Sequence, residues 1–327
     1  MTGYRAEVAD ALRALDVIPP ASYAWFGRRT RSLPPDVLVA ATPAEVRASL
    51  VAALERELYR SFFTQGRPLP ASPERPVSVR RDTAFARALS AANTGVGGWQ
   101  AGWRVAALEA GDVLVARDGI AVRASAADCR PLDGVIVPGA TVDIRRPKEL
   151  GALSPGFYTA LGDRPPGTGA ELRVYFHVTA AGAAPLVGAC TSALNAAAVP
   201  FVLKVVDRPG GFTRCDAAVL YLEPGGLERA RVALAEIVDV CAPHLRDETP
   251  AFTKRLGAGV AAGEHHTELG ASFGGLRCRA VAEGAVTARE AGAASLEDRV
   301  GVVARRFAAL GLDLDRPYLA PARSHAL

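Results

Sequence analysis

Fifty consecutive residues, Arg173 to Leu222, constrain the fold of this chain more than any other stretch. They hold three apolar runs, RVYFHV, PFVLKVV and DAAVLYL. The first two are separated by a small-residue segment that reaches Asn195, the last two by the glycine turn DRPGG. Short runs rich in Val, Phe, Tyr and Leu between turn residues read as strands. Successive side chains of a strand point to opposite faces. Arg173, Tyr175 and His177 therefore share one face, and Val174, Phe176 and Val178 share the other. In the second run Lys204 sits between Leu203 and Val205, with Val202 and Val206 on its own face. A cation inside such a strand needs a reason. The chain has only three lysines, at 148, 204 and 254, so 35 of its 38 basic residues are arginine. A lysine can surrender its proton when buried and an arginine cannot, so a lysine kept at this place points to chemistry.

The rest of the composition sets bounds. The chain has 327 residues, half of them apolar and 22% charged, with a net charge of +4, enough apolar residue for a sizeable core and too little charge for disorder. The arginines are dispersed, which argues against nucleic acid as a partner. Five cysteines at 129, 190, 215, 241 and 278 are widely spaced, odd in number and without C-x-x-C or zinc spacing. They read as reduced, mostly buried small hydrophobes of a cytoplasmic protein. No signal-peptide pattern and no run of about eighteen apolar residues occurs, so no membrane is expected as a partner.

Along the chain, residues 4–16 form an amphipathic helix by spacing, stopped by Pro19-Pro20. A loop through Tyr23, Trp25 and Gly27 leads to a second helix with Thr42 as N-cap and Pro43 in its first turn. Its apolar face carries Val46, Leu50, Leu54, Leu58 and Phe62, and it ends near Gly66. Residues 67–80 are proline-rich and read as a linker. TGVGGW, at 94–99, lacks the GK[ST] of a P-loop and reads as a tight turn packed by Trp99 and Trp103. WRVAALEAG, DVLVARDG and IAVRA follow as antiparallel strands. Pro165 to Gly169 makes a turn before the central strands, and GLERARVALAEIVDVCAPHL is a periodic helix. Beyond Pro250 a loop rich in glycine and charge runs into another helix, and residues 297–310 form the last. The fold class is α+β: a helical N-terminal subdomain over 1–80, then an α+β domain over 81–327 with helices and a mixed, mainly antiparallel sheet.

Eight segments together resemble the HopA-type effector family of plant-pathogen type III secretion, in the form found in actinobacterial peptide-biosynthesis clusters. They are YAWFG (23–27), LSAANTGVGGWQAGW (89–103), PKELGALSPGFYTALGD (147–163), YFHV (175–178), VPFVLKV (199–205), RCDAAVLYL (214–222), PAFTKRL (250–256) and SFGGLRC (272–278). The chain departs from the family at Gly263-Glu264-His265-His266, where an acidic–proline pair is expected. The resemblance implies a lyase of class V lanthipeptide and thioamide-peptide biosynthesis. Such an enzyme eliminates phosphate from phosphothreonine or phosphoserine of a ribosomal precursor peptide and leaves a dehydroamino acid.

That reaction needs a base for the Cα proton, a positive or hydrogen-bonding partner for the developing enolate, and cationic donors for the leaving phosphate. It requires no metal and no redox cofactor. Under this resemblance Lys204, desolvated among Val202, Leu203 and Val205, is the candidate base. Its other reading is an edge-strand lysine whose ammonium snorkels to water. His177 is a candidate to protonate the departing phosphate or to act as the base, or else a hydrogen-bonded strand histidine. Arg208 and Arg214 flank the glycine turn as candidate phosphate ligands, or serve as surface arginines and partners of Asp216. Lys254 with Arg255, and Lys148 with Arg145 and Arg146, are further phosphate candidates. Asn195 is equally a capping residue. Ser272 lies outside any G-x-S-x-G elbow, and adjacent His265 and His266 lack zinc spacing. A separate kinase must install the phosphate, so a kinase-like partner is expected. The alternative from another class is a non-catalytic module that binds the peptide or the kinase within the same complex.

Overall fold

The computed structural model describes residues 3–70, 82–109, 111–151, 154–164, 170–223, 225–266, 270–321 and 327. The expected linker after position 70 and the turn at 165–169 lie largely or wholly outside them. Helix α1 (Tyr4–Ala14) feeds a small meander of β1 (Leu15–Ile18), β2 (Ser22–Trp25) and β3 (Arg28–Arg31), where a loop is expected from the sequence. The β2–β3 hairpin turns on Phe26 and Gly27, both with positive φ (48° and 76°). Both signs match the primed two-residue turn that suits strand twist, with Phe where Asn or Gly usually advertises it. The short α2 (Pro35–Ala40) precedes α3 (Pro43–Ser61), which begins on a capping box between Thr42 and Glu45. Val46, Leu50, Leu54 and Leu58 are buried along one face of α3, as their spacing predicts. The chain leaves α3 through Gly66, at φ 73°, where a Cβ would lie 2.3 Å from the Thr249 carbonyl oxygen.

After α4 (Thr83–Ala92) come β4 (Trp99–Glu109), β5 (Asp112–Arg117), β6 (Ile120–Ser125), β7 (Cys129–Pro131) and β8 (Thr141–Arg145). They form an antiparallel sheet in the order β6-β5-β4-β8-β7 around its own small core of Trp103, Val105, Val113, Val115 and Val142. The larger sheet contains β9 (Glu149–Leu150), β10 (Phe157–Leu161), β11 (Ala170–Phe176), β12 (Phe201–Val206), β13 (Ala218–Leu222), β14 (Lys254–Gly257) and β15 (Val260–His266). Its order is β14-β15-β11-β13-β12-β10-β9, antiparallel throughout. Helices α5 (Ala183–Ala196) and α6 (Gly226–Cys241) cover one face over Val174, Phe176, Leu203, Val205 and Leu220. On the other face Tyr175 and Val219 join a core built with α1, α3, α7 (Phe273–Glu290) and α8 (Leu296–Ala309).

The β14–β15 hairpin is the main departure from expectation, since the sequence there reads as a loop. Strand β15 is VAAGEHH, built of small residues because α7 presses on it. A Cβ on Gly263 would lie 2.4 Å from the Phe273 ring, which is fully buried against Phe63 and Tyr175. A missing side chain here makes room for an aromatic one whose burial contributes about 1.5–3 kcal/mol. Close by, the fully buried Arg277 stacks on Phe273, 3.5 Å from its ring centre. It donates to the carbonyls of Phe273, Pro317 and Leu319, tying the segment after α8 onto α7. All five cysteines are buried and unpaired. Among the described residues no helix is long and apolar enough to cross a membrane.

Candidate active site

The alternation of β11, β12 and β13 delivers Glu171, Arg173, Lys204 and Tyr221 to the face under α3 and α7. Cross-strand register sets Arg173 opposite Tyr221 and Tyr221 opposite Val202, while Lys204 lies opposite both Val219 and Thr159. Tyr221 is the centre of the group. The Lys204 Nζ and the Arg173 guanidinium carbon each lie 5.2 Å from its ring centre. Glu171, two residues earlier on the same face, accepts from Nε and a terminal nitrogen of Arg173. Lys204 is only partly exposed, and burial first, then the positive charge of Arg173, lowers its pKa from the usual lysine value, against a smaller opposing pull from Glu171. Burial first, then Glu171, raises the pKa of Tyr221, against the opposing effect of Arg173, so its hydroxyl keeps its proton.

Arg214 grips Asp216 with two parallel hydrogen bonds, from Nε and from a terminal nitrogen at 2.6 Å. Burial alone would lower its pKa, and the Asp216 carboxylate more than reverses that. Its guanidinium also lies 5.8 Å from the Phe157 ring centre and 6.0 Å from that of Tyr59. Tyr59, from α3, donates to Asp216 at 3.4 Å and so ties α3 to the Arg214 pair. Arg208 approaches the same end of β10. A Cβ on Gly156 would meet its guanidinium at 3.2 Å, and Asp207 lies 3.6 Å away. Two of its nitrogens, Nε and one terminal nitrogen, are buried without a hydrogen-bond partner. Phe157 and Thr159 are two residues apart, so the arginine end and the Lys204 end of β10 are separated by roughly 7 Å. Thr159, fully buried opposite Lys204, has an unpartnered hydroxyl.

The other predicted residues sit elsewhere. His177 follows β11 at the far end of its strand, two strands and one strand repeat from Lys204, on the order of 12 Å away. Its Nδ1 faces the Glu248 carbonyl at 3.0 Å, its Nε2 is buried without a partner, and burial lowers its pKa. Lys254 lies on the edge strand β14, four strand spacings or about 19 Å from β12, with its ammonium over Tyr318. Arg255 pairs with Asp247. Lys148 donates to the carbonyls of Ser90 and Asn93 and so closes the C-terminus of α4. Arg146 donates to the Gly162 carbonyl, and Arg145 lies 3.7 Å from Asp128. In the glycine loop the amides of Val96 and Gly97 both donate to one oxygen of Asp163 at 2.9 Å. That backbone nest holds the chain's own carboxylate. Asn195, at the end of α5, accepts from the Asp163 amide.

Lys204 thus lies opposite Thr159 of β10, with Arg173 and Tyr221 beside it, and Arg208 and Arg214 lie at the start of that strand, with Tyr59 on the Arg214 pair. Arg173 was visible as a charge on the Lys204-type face of its strand. Tyr221 is a polar tip in an otherwise apolar run. Nothing local marks Tyr59, because only the packing of α3 on the sheet brings it there.

Residues 150–319 match the HopA1 effector protein family, a span that holds every grouped residue except Tyr59. Among solved structures, the chain is similar to an effector protein from Pseudomonas syringae pv. tomato strain DC3000. That likeness has 16% identity and a TM-score of 0.49 over 98% of this chain and 96% of the other. A second, an effector protein from Pseudomonas syringae pv. syringae strain 61, shows 18% identity and a TM-score of 0.47 over 85% and 95%. No curated protein matches the chain.

Proposed function

The chain belongs to the HopA1 effector protein family, and we propose that it is a carbon–oxygen lyase that eliminates phosphate from phosphothreonine or phosphoserine in a ribosomal precursor peptide. One observation supports the reading: Lys204, its pKa lowered by burial and then by Arg173, lies opposite Thr159 of β10, and Arg208 and Arg214 approach the start of the same strand at Gly156 and Phe157. Elimination needs that pairing of a weak-acid base with an anion cradle.

In this mechanism neutral Lys204 removes the Cα proton. The electron pair moves into the Cα–Cβ bond as the Cβ–O bond to phosphate breaks. Negative charge that builds on the adjoining carbonyl oxygen is met by Arg173 and by the Tyr221 hydroxyl, which its raised pKa keeps as a donor. Arg208 is the first candidate to take the leaving phosphate, and Arg214, anchored by Asp216, adds a second planar fork. The products are a dehydroamino acid and inorganic phosphate, with the proton left on Lys204. His177, whose pKa is also influenced by the Asp216 carboxylate that anchors Arg214, stands on the order of 12 Å from Lys204 and takes no step in this mechanism. The substrate must come from a kinase, so a kinase-like protein is the proposed partner.

The test is mass spectrometry of a synthetic phosphothreonine peptide incubated with the chain, alone and with a candidate kinase partner. Loss of phosphoric acid supports the lyase. An intact phosphopeptide that nevertheless binds supports a non-catalytic binding module instead.

A further inference from the structure

A second feature lies away from the Lys204 group, at the edge of the five-stranded sheet. A cleft of about 790 Å³ is walled on one side by Val122, Arg123, Ala124 and Ser125 of β6. Its other wall is the unbroken stretch from Ile144 to Glu149, and Trp103 reaches it from between them. Four consecutive strand residues alternate between the two faces of a sheet, so all four can line one cleft only if it runs along the strand's edge. Strand β6 is that edge, bonded to β5 alone in the sheet. The cleft therefore offers a row of backbone donors and acceptors roughly 13 Å long, the reach of four extended residues.

Cations outnumber carboxylates in its lining. Arg123, Arg145, Arg146 and Lys148 line it, against the carboxylates of Asp128 and Glu149. Asp128 is 3.7 Å from Arg145, and Glu149 is committed to Ser90 and Tyr158. Arg123 forms an ion pair with the exposed Glu109 at 2.5 Å, and Arg123 and Arg145 are both more than two-fifths exposed. Arg146 has a buried Nε without a partner. The floor is apolar, with Trp103, Val122 and Ile144.

We propose that this cleft binds an extended acidic peptide segment, added as a strand beside β6 with its carboxylates on Arg123, Arg145 and Arg146. Strand addition takes affinity from main-chain hydrogen bonds and selectivity from the side-chain positions that alternate along the groove. The surplus of cations selects acidic residues. This site does not depend on the lyase reading and is tested without turnover.

The probe is a fluorescent peptide of about ten residues alternating Glu and Val, followed by anisotropy against the full chain. It is expected to bind, more weakly as salt rises. The double variant Arg123→Glu/Arg145→Glu should weaken binding by at least about tenfold, and Lys204→Met should leave it unchanged. A version with proline at alternate positions keeps the charge but loses amide donors, and it should also bind at least about tenfold more weakly. Amide exchange of Ile120–Ser125 in the unmodified chain should slow when the peptide is added, a readout independent of whether the double variant folds. Equal binding by the double variant or by the proline peptide overturns the proposal. So does equal binding of an oligothymidylate of the same charge, or unchanged exchange along β6.

Discussion

Replacing Lys204 by methionine separates catalysis from architecture in a single variant. Methionine keeps an unbranched stem of similar length, so packing beside Tyr221 survives and only the ammonium is lost. Two electrostatic consequences oppose each other. The cation over the Tyr221 ring, at 5.2 Å, is worth about 0.5–1 kcal/mol at a partly exposed site. Against that, Lys204 and Arg173 share the same ring at 5.2 Å each, so their charges are no more than about 10 Å apart. At that separation repulsion costs from about 0.4 kcal/mol in water to about 1.7 kcal/mol at an effective dielectric of 20. The balance is a stability change within about 1 kcal/mol of zero in either direction. Loss of a positioned base removes typically 10²–10⁴ of the rate, or about 3–5.5 kcal/mol of transition-state stabilisation. Denaturant unfolding and phosphate release measured on the same preparation give both numbers. Elimination at the wild-type rate refutes Lys204 as base. A large fall in stability that tracks the fall in rate refutes the separation of roles.

Two further predictions bear on the supports of the site. Gly263→Ala puts a methyl group 2.4 Å from the Phe273 ring, and overpacking of this kind costs about 1–3 kcal/mol. A stability loss below about 0.5 kcal/mol, from the urea midpoint shift times m, would show that Phe273 has room to move, contrary to its complete burial. His177 has a lowered pKa in the fold because burial penalises its charged form, so the unfolded chain binds its proton more readily. Its contribution is therefore destabilising as pH falls below 6.5, the ordinary value, and absent above it. Comparing urea midpoints at pH 7.5 and 5.5, wild type should lose more stability on acidification than His177→Gln. An identical loss in both would mean that His177 is protonated as easily inside the fold as outside.

Much of the scaffold is legible in the sequence because its signals are local. The capping box at Thr42, the helical stripe from Val46 to Leu58, and the alternation of RVYFHV and FVLKVV each depend on neighbours within a few residues. The same alternation places Lys204 and Arg173 on the face away from Val174 and Leu203. It marks Lys204 as an anomaly before any fold is known. Strand β15 is illegible for the opposite reason: Gly263 reads locally as a loop glycine, yet it makes room for Phe273, a residue outside its own run.

Sequence alone therefore determined the α+β class, the central strands and a cation in an apolar strand. Only the tertiary structure decided which other charges that cation meets. Strand order carried Lys254 to a far edge, a helix terminus engaged Lys148, and α3 brought Tyr59 to Asp216. Side-chain type is written residue by residue. Distance between charges is set by which strands pair and which helices cover them, through contacts spanning more than a hundred residues, such as Tyr59 with Asp216.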